Sequence, residues 1–345
     1  MQHHRSGSQS SRAVEPHRGW HKLAVLLRKK PKQGITLVIG AGIHSIPKWE
    51  CPLTHESGLL LSSWSALLDA TVPRIQSSPP ASLRWELGIL QLKSGDQAWR
   101  RSKEAFKRLQ AMVAEAETAV LKRRCQYKLV KSIIGASCVK NIISLNFDLT
   151  IEQLLLESRK TLPALRPVQS EAKPGSAKAK AVAKVKAIRH LECCRTIDSR
   201  AIWHPHGDRK SSEGSCMGLR EYALRVDAVE DARCKFKGIR RSKSSNEHLP
   251  NWIDLMMSTH LIFVGTSLDF SEWDIWFALV NRWRNNVRGK AKSKAPQTFV
   301  LTTGDRHANL PSQFTRLSAP NYDQGWKWLD AVMNCPTSAS INGAM

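Results

Sequence analysis

Ile35-Thr36-Leu37-Val38-Ile39 is a short and almost unbroken apolar run, the pattern of a strand covered on both faces inside a parallel sheet. It stops at Gly40-Ala41-Gly42, where the missing Cβ atoms let the chain turn tightly. Leu261-Ile262-Phe263-Val264 repeats the arrangement and stops at Gly265-Thr266-Ser267. Ile142-Ile143-Ser144-Leu145 and Thr298-Phe299-Val300-Leu301-Thr302 have the same character, and Ala201-Ile202-Trp203 is a shorter extended piece. Segments of helical periodicity lie between these runs. Strands alternating with helices predict an α/β fold, a Rossmann-like doubly wound parallel sheet with helices on both faces and an inserted helical segment. In that architecture ligands bind outside the carboxyl ends of the strands, where strand order reverses.

Trp20, Leu23, Leu26 and Leu27 predict a short helix ahead of Lys29-Lys30-Pro31. From Ala81 to about Gly135, apolar residues such as Trp85, Phe106, Leu109 and Val113 recur at helical spacing, giving the inserted segment 81–135. Thr150 and Gln153 have capping-box spacing, and Ser271 and Asp274 form a Ser-x-x-Asp cap. Trp273, Trp276, Val280, Trp283 and Val287 step by three and four, which predicts a helix face buried in the core. Trp326, Trp328, Leu329 and Val332 predict a closing helix. Residues 158–190, rich in Ala and Lys and broken by Pro163, Pro167 and Pro174, read as a flexible insertion. The organisation expected is a basic, partly disordered segment over 1–33, one domain over 34–333 and a flexible tail over 334–345, with no internal repeat.

With 345 residues, 41% of them hydrophobic, the chain can bury a substantial core, which excludes a disordered chain or a disulfide-stapled mini-protein. A net charge of +24 points first to an acidic partner such as nucleic acid. The excess is localised, however. Residues 1–33, 171–190, 235–243 and 282–294 together hold 25 basic and two acidic side chains, so the remainder is close to neutral. Arg282, Arg284, Arg288, Lys290, Lys292 and Lys294 read as a solvated helix exit, where cations are favoured. Nucleic-acid contact is the alternative for these stretches, although no helix-turn-helix or zinc-finger pattern accompanies them. Eight cysteines lack paired spacing, no secretory leader is apparent, and no apolar stretch approaches the roughly 20 residues that span a bilayer. A reducing cytoplasm and free thiols are expected.

The strand ends carry the candidate chemistry. Gly40-Ala41-Gly42 allows close backbone approach to a pyrophosphate. The third glycine of a dinucleotide fingerprint is absent, position 45 is serine, and no Lys follows as in a phosphate-loop NTPase. A hydride-transferring dehydrogenase is therefore disfavoured. Asn146 and Asp148 read either as turn formers or as polar groups presented at a strand end. His206 reads as catalytic or structural. His204 and His206, with Cys193, Cys194 and Cys216 nearby, raise a metal site, but their spacing fits no standard zinc pattern and no metal is expected.

Taken in order, Gly40-Ala41-Gly42-Ile43 with the downstream Ile46-Pro47, then Leu145-Asn146-Phe147-Asp148, then His206-Gly207, then Gly265-Thr266-Ser267-Leu268 resemble the sirtuin-like superfamily across residues 34–302. Val264 to Leu268 followed by Phe270-Ser271-Glu272-Trp273-Asp274-Ile275-Trp276 is similar to the bacterial anti-phage defence group. The resemblance implies a sirtuin-like NAD-binding catalytic domain, with NAD+ as substrate. It places Gly40, Ala41 and Gly42 on the diphosphate and Gly265, Thr266 and Ser267 on the adenosine side. It puts Asn146 and Asp148 near nicotinamide and its ribose, His206 at the catalytic histidine, and Pro47 and Trp49 in a loop closing over nicotinamide. Two departures matter. Between His206 and Gly265 only Cys216 and Cys234 occur, so the paired CxxC zinc motif of the deacylases is missing, and the first loop reads Ile46-Pro47-Lys48-Trp49-Glu50 instead of Ile-Pro-Asp-Phe-Arg. Hydrolysis of NAD+ to nicotinamide and ADP-ribose is thus expected over peptide deacylation. An abortive-infection effector of this kind implies a separate sensor or activator subunit and an oligomer, with no membrane partner. The alternatives are an inactive sirtuin-like scaffold or a nucleotide- or nucleic-acid-binding subunit of a defence complex.

Overall fold

The structure, a computed structural model, describes residues 17–31, 34–46, 51–73, 79–91, 98–156, 162–163, 166–167, 193–210, 215–239, 251–269, 272–288, 295–304 and 310–334. Eight strands form one sheet in the order β3-β4-β5-β2-β1-β6-β7-β8. They are β1 Ile35–Ile39, β2 Val139–Ser144, β3 Arg166–Pro167, β4 Cys193–Ile197, β5 Arg200–Trp203, β6 His260–Val264, β7 Thr298–Thr303 and β8 Phe314–Ala319. The pairs from β5 through β8 are parallel, while β3 and β4 add an antiparallel edge. The chain leaves β1 towards β2 on one side and returns to β6 on the other, so order reverses at β1. This is the α/β architecture that the apolar runs predict.

The strand pleat divides the core. Ile35, Leu37 and Ile39 face one apolar cluster together with Ile142, Ile262 and Phe299, while Val38 faces a second one with Ile143, Phe263 and Val300. The first cluster is covered by α1 (His17–Arg28), α3 (Trp64–Thr71), α4 (Ala81–Gln91), α5 (Ala98–Leu121), α6 (Lys128–Gly135), α7 (Thr150–Leu155) and α11 (Tyr322–Asn334). The second is covered by α8 (Leu219–Ile239), α9 (Trp252–Ser258) and α10 (Trp273–Arg288). A further helix, α2 (Pro52–Leu61), begins with Pro52 in its first turn, where a missing N–H costs nothing.

Several expectations are corrected. The helix predicted from Trp20 is part of the core: Trp20 is fully buried, its indole Nε1 donates to the Ser318 carbonyl at 2.8 Å, and its ring meets Trp328 edge-on at 5.7 Å. The helical character expected of 81–135 is present, as α4, α5 and α6 with a 3-10 turn at Arg124–Tyr127. Thr150 and Gln153 form no capping box. Leu149 is the cap position and makes no side-chain capping bond, and the Asp148 Oδ1 atom accepts from the Thr150 amide instead. The tryptophan stripe is not the buried face of α10. Trp273 is 51% exposed, and Ile275, Ala278, Leu279 and Arg282 face the core, because the sheet lies on that side. Trp276 and Trp283 flank the core, packed edge-on against Phe314. Arg282 is not part of a solvated exit. It is fully buried and donates to the Met256 and Gln297 carbonyls, and burial lowers its pKa to about 9. Ser271, the rest of the 282–294 exit beyond Arg288, nearly all of 158–190, and 335–345 lie outside the described residues.

Candidate active site

A cavity of about 720 Å³ opens where strand order reverses, at the carboxyl ends of β1, β2 and β6. Its floor is Gly40, Ala41, Gly42, Asn146, Gly265 and Thr266. The opposite wall comes from α3 and the start of α4, with Ser63, Trp64, Leu68 and Ser82. Tyr222 of α8 and Glu272, which precedes α10, close a third side. Three of the four strand ends singled out from sequence therefore meet in one place, and Ser267 is on the same wall. Pro47 and Trp49 lie outside the described residues.

The two glycine turns hold each other. The Gly40 amide donates to the Val264 carbonyl at 3.0 Å, and the Gly42 amide donates to the Gly265 carbonyl at 2.6 Å. A Cβ on Gly42 would stand 2.7 Å from the Gly265 Cα, and Gly265 itself has φ +61. Backbone is on both sides of this contact, so no side-chain rotation relieves it. Gly42→Ala is expected to destabilise the fold by about 2–4 kcal/mol, as steric strain at a backbone contact does; urea unfolding that matches wild type would show that the two turns separate freely.

Asn146 lies just beyond β2 and is 4% exposed. Its carbonyl accepts from His204 Nδ1 at 2.9 Å, and its amide N–H donates to Ser144 Oγ at 3.3 Å. Neither Nδ2 nor Oδ1 of its side chain has a hydrogen-bond partner. A buried primary amide with nothing to bind is costly, and Asn146 is one of the residues that line the cavity.

A set of buried charges behind Asn146 fixes that backbone. His204 Nε2 donates to Glu152 Oε1 at 2.8 Å, Arg195 reaches the same oxygen at 3.4 Å, and Arg195 pairs with Asp208 at 2.5 Å. Burial opposes charging of His204, but Glu152 overrides it and raises the imidazole to about 9. Two cations therefore face two carboxylates. His204 thus serves the site from behind and shares no metal position with His206, since the two rings face different carboxylates. Among the described residues, no group of three or more His, Cys, Asp or Glu is placed to hold a metal ion.

Asp148 is drawn away from the cavity. Its Oδ2 accepts from His44 Nε2 at 3.1 Å, and the other ring nitrogen of His44 meets the Tyr127 hydroxyl at 2.8 Å. Burial disfavours the Asp148 carboxylate, but His44 and Thr150 more than compensate and hold it down to about 2. The turn is braced further by Glu117, which accepts from the Leu149 amide and takes Arg209 in a two-bonded pair. Asp148 is thus spent on fixing the Asn146 turn, and among the described residues it does not line the cavity.

His206 follows β5 and is 1% exposed. Nε2 donates to Asp274 Oδ1 at 3.3 Å, Nδ1 has no partner, and the ring lies against Tyr222 with centroids 5.5 Å apart. Burial opposes its protonation, yet Asp274 and Glu272 raise its pKa. His206 does not itself line the cavity, whereas Tyr222, against which its ring lies, does. Sequence reasoning missed Asp274 as its partner because a Ser-x-x-Asp pattern reads as a helix cap. It missed Glu152 and His44 because nothing local marks them.

Among the described wall residues, the charged side chains are the two carboxylates Asp269 and Glu272. The arrangement offers small turns for close backbone approach, an unpaired amide, hydroxyls from serines, and an acidic corner. No protein-family model matches this chain, and no curated protein shows significant sequence similarity to it.

Proposed function

We propose that this protein is an NAD+ hydrolase that releases nicotinamide and leaves ADP-ribose. The observation that carries the reading is Asn146, a buried side chain with both polar atoms unpaired on the wall of the cavity at the switch point of the sheet. There the amide orients a ribose hydroxyl or the attacking water. The Gly40-Ala41-Gly42 turn, with no side chain larger than a methyl, accommodates the diphosphate, and Gly265, Thr266 and Ser267 accommodate the adenosine side. The acidic corner suits the end of the dinucleotide that carries the cationic pyridinium. The pyridinium is already a good leaving group, so positioning and charge stabilisation of an oxocarbenium-like transition state suffice. Unrestrained NAD+ consumption kills a cell; the reading therefore includes a cytoplasmic anti-phage role and an activating subunit or oligomer that releases the activity.

The test is nicotinamide release from NAD+ by the purified chain, alone and with proteins encoded beside it. Wild type is expected to release nicotinamide and His206→Ala to do so about 100-fold more slowly. No release by wild type in any of these conditions refutes the reading.

A further inference from the structure

His206 does not line the cavity and its ring lies against Tyr222, which does, while Glu272 stands on the cavity wall itself. Resting on the hydrolase reading above, we propose that Glu272 is the catalytic residue that takes the proton of the attacking water, and that the buried His206–Asp274 pair is a positioning element acting through it.

Three independent observations support this. First, the backbone of Glu272 is fixed at the mouth: its amide donates to the Asp269 carbonyl at 3.1 Å and its carbonyl accepts from the Trp276 amide at 3.0 Å. Asp274 follows two residues later in the first turn of α10. Second, Glu272 Oε2 is buried and has no hydrogen-bond partner, so a lone pair is available to a ligand without breaking an existing bond. Third, the groups acting on it are His206, Asp274 and Asp269, and Tyr222, which also lines the cavity, feels its charge. Burial, opposed by His206 and reinforced by Asp274 and Asp269, pushes the carboxyl up to about 7. A carboxylate of that basicity holds a proton well enough to act as general base near neutral pH.

The bond between the ribose anomeric carbon and the pyridinium nitrogen breaks, and its electron pair neutralises the ring, so nicotinamide leaves uncharged. A lone pair of water forms the new bond to the same carbon, and the proton of that water passes to the Glu272 carboxylate. The acid then returns the proton to solvent. This is the division of labour of a carboxylate that activates water at a sugar carbon. His206, held by Asp274, opposes the upward push of burial on the Glu272 carboxyl.

The proposal is tested on the full chain with NAD+ as the probe, comparing wild type with Glu272→Gln and Glu272→Asp. Affinity is read by calorimetry, and nicotinamide release is followed from about pH 5 to about pH 9. Wild-type kcat is expected to rise with pH through about 7, as the carboxyl ionises. Glu272→Gln is expected to bind NAD+ within about threefold of wild type, to turn over about 100-fold more slowly, and to lose that rise. Glu272→Asp is expected to keep the rise at a lower rate. A glutamine variant with wild-type rate and pH profile overturns the role of Glu272 and leaves NAD+ hydrolysis standing. If that variant does not fold, a wild-type profile flat through neutral pH, or its absence from the aspartate variant, overturns the role instead. A wild type that binds NAD+ and releases no nicotinamide at any pH, alone or with the proteins encoded beside it, overturns both.

Discussion

Asn146→Ala is expected to lower nicotinamide release by at least about 100-fold while leaving the melting temperature unchanged or higher. The loss follows from removing a side-chain amide in the cavity floor that orients the nucleophile, an effect of the size seen for positioned polar groups in other active sites. The stability result follows from the same side chain's lack of partners. Its two polar atoms were desolvated on folding without compensation, and deleting such a group relieves about 1–3 kcal/mol that offsets the packing lost. The backbone contacts of residue 146, to Ser144 and His204, survive in alanine. A residue serving only as a turn former behaves in the opposite way, losing stability with no special effect on turnover. Thermal melting and nicotinamide release measured on one preparation separate the two, and a variant that melts several degrees lower with activity intact removes Asn146 from the site.

Glu152→Gln is expected to have the largest effect on stability, about 3–5 kcal/mol, because it removes one partner from a buried ion pair and leaves the other uncompensated. The change also alters the pH dependence. In the wild type, His204 is raised to about 9, above the value of about 6.5 of an unfolded histidine. The folded state therefore binds this proton more tightly. The stabilisation is fully present below about pH 6.5 and is lost as pH rises through about 9. In Glu152→Gln the larger cause of the shift is gone and only Asp208 still raises His204, so the decline across that interval should shrink. Urea unfolding at several pH values between these limits reads both effects, and equal stability of the two proteins at the acidic end would show that the cluster contributes nothing. Since His204 holds the Asn146 carbonyl, the variant should also lose activity in excess of its loss of folded protein.

The parts of this protein that were readable before folding share one property: they are local. β1, β6 and β7 are short apolar runs buried throughout or nearly so, and the glycines that end β1 and β6 declare a turn by themselves. β8 escaped notice because it lies at the sheet edge, with buried and exposed positions mixed through Phe314–Ala319. β4 escaped because Arg195 sits buried in the middle of it, and a charged residue argues against a core strand until its partners Glu152 and Asp208 are known. The site divides in the same way. Asn146 and the glycine turns came from strand ends, whereas the role of Asp148 depended on His44, 104 residues away, and that of His206 on Asp274, 68 residues away. A tryptophan stripe misled for a related reason, since spacing fixes which residues share a helix face but not which face meets the sheet.

Trp20 fastens the first helix to Ser318 of the last strand across 298 residues of chain. During synthesis, therefore, α1 leaves the ribosome long before any of β8 exists, and its apolar face of Trp20, Leu23 and Leu27 waits without its final cover. Loop closure over such a separation is paid late, and long-range contacts slow folding. The candidate site is at the middle of the sheet, but the layer that seals the β8 side is complete only once Ser318 has been made, which makes the order of synthesis part of how this fold is assembled.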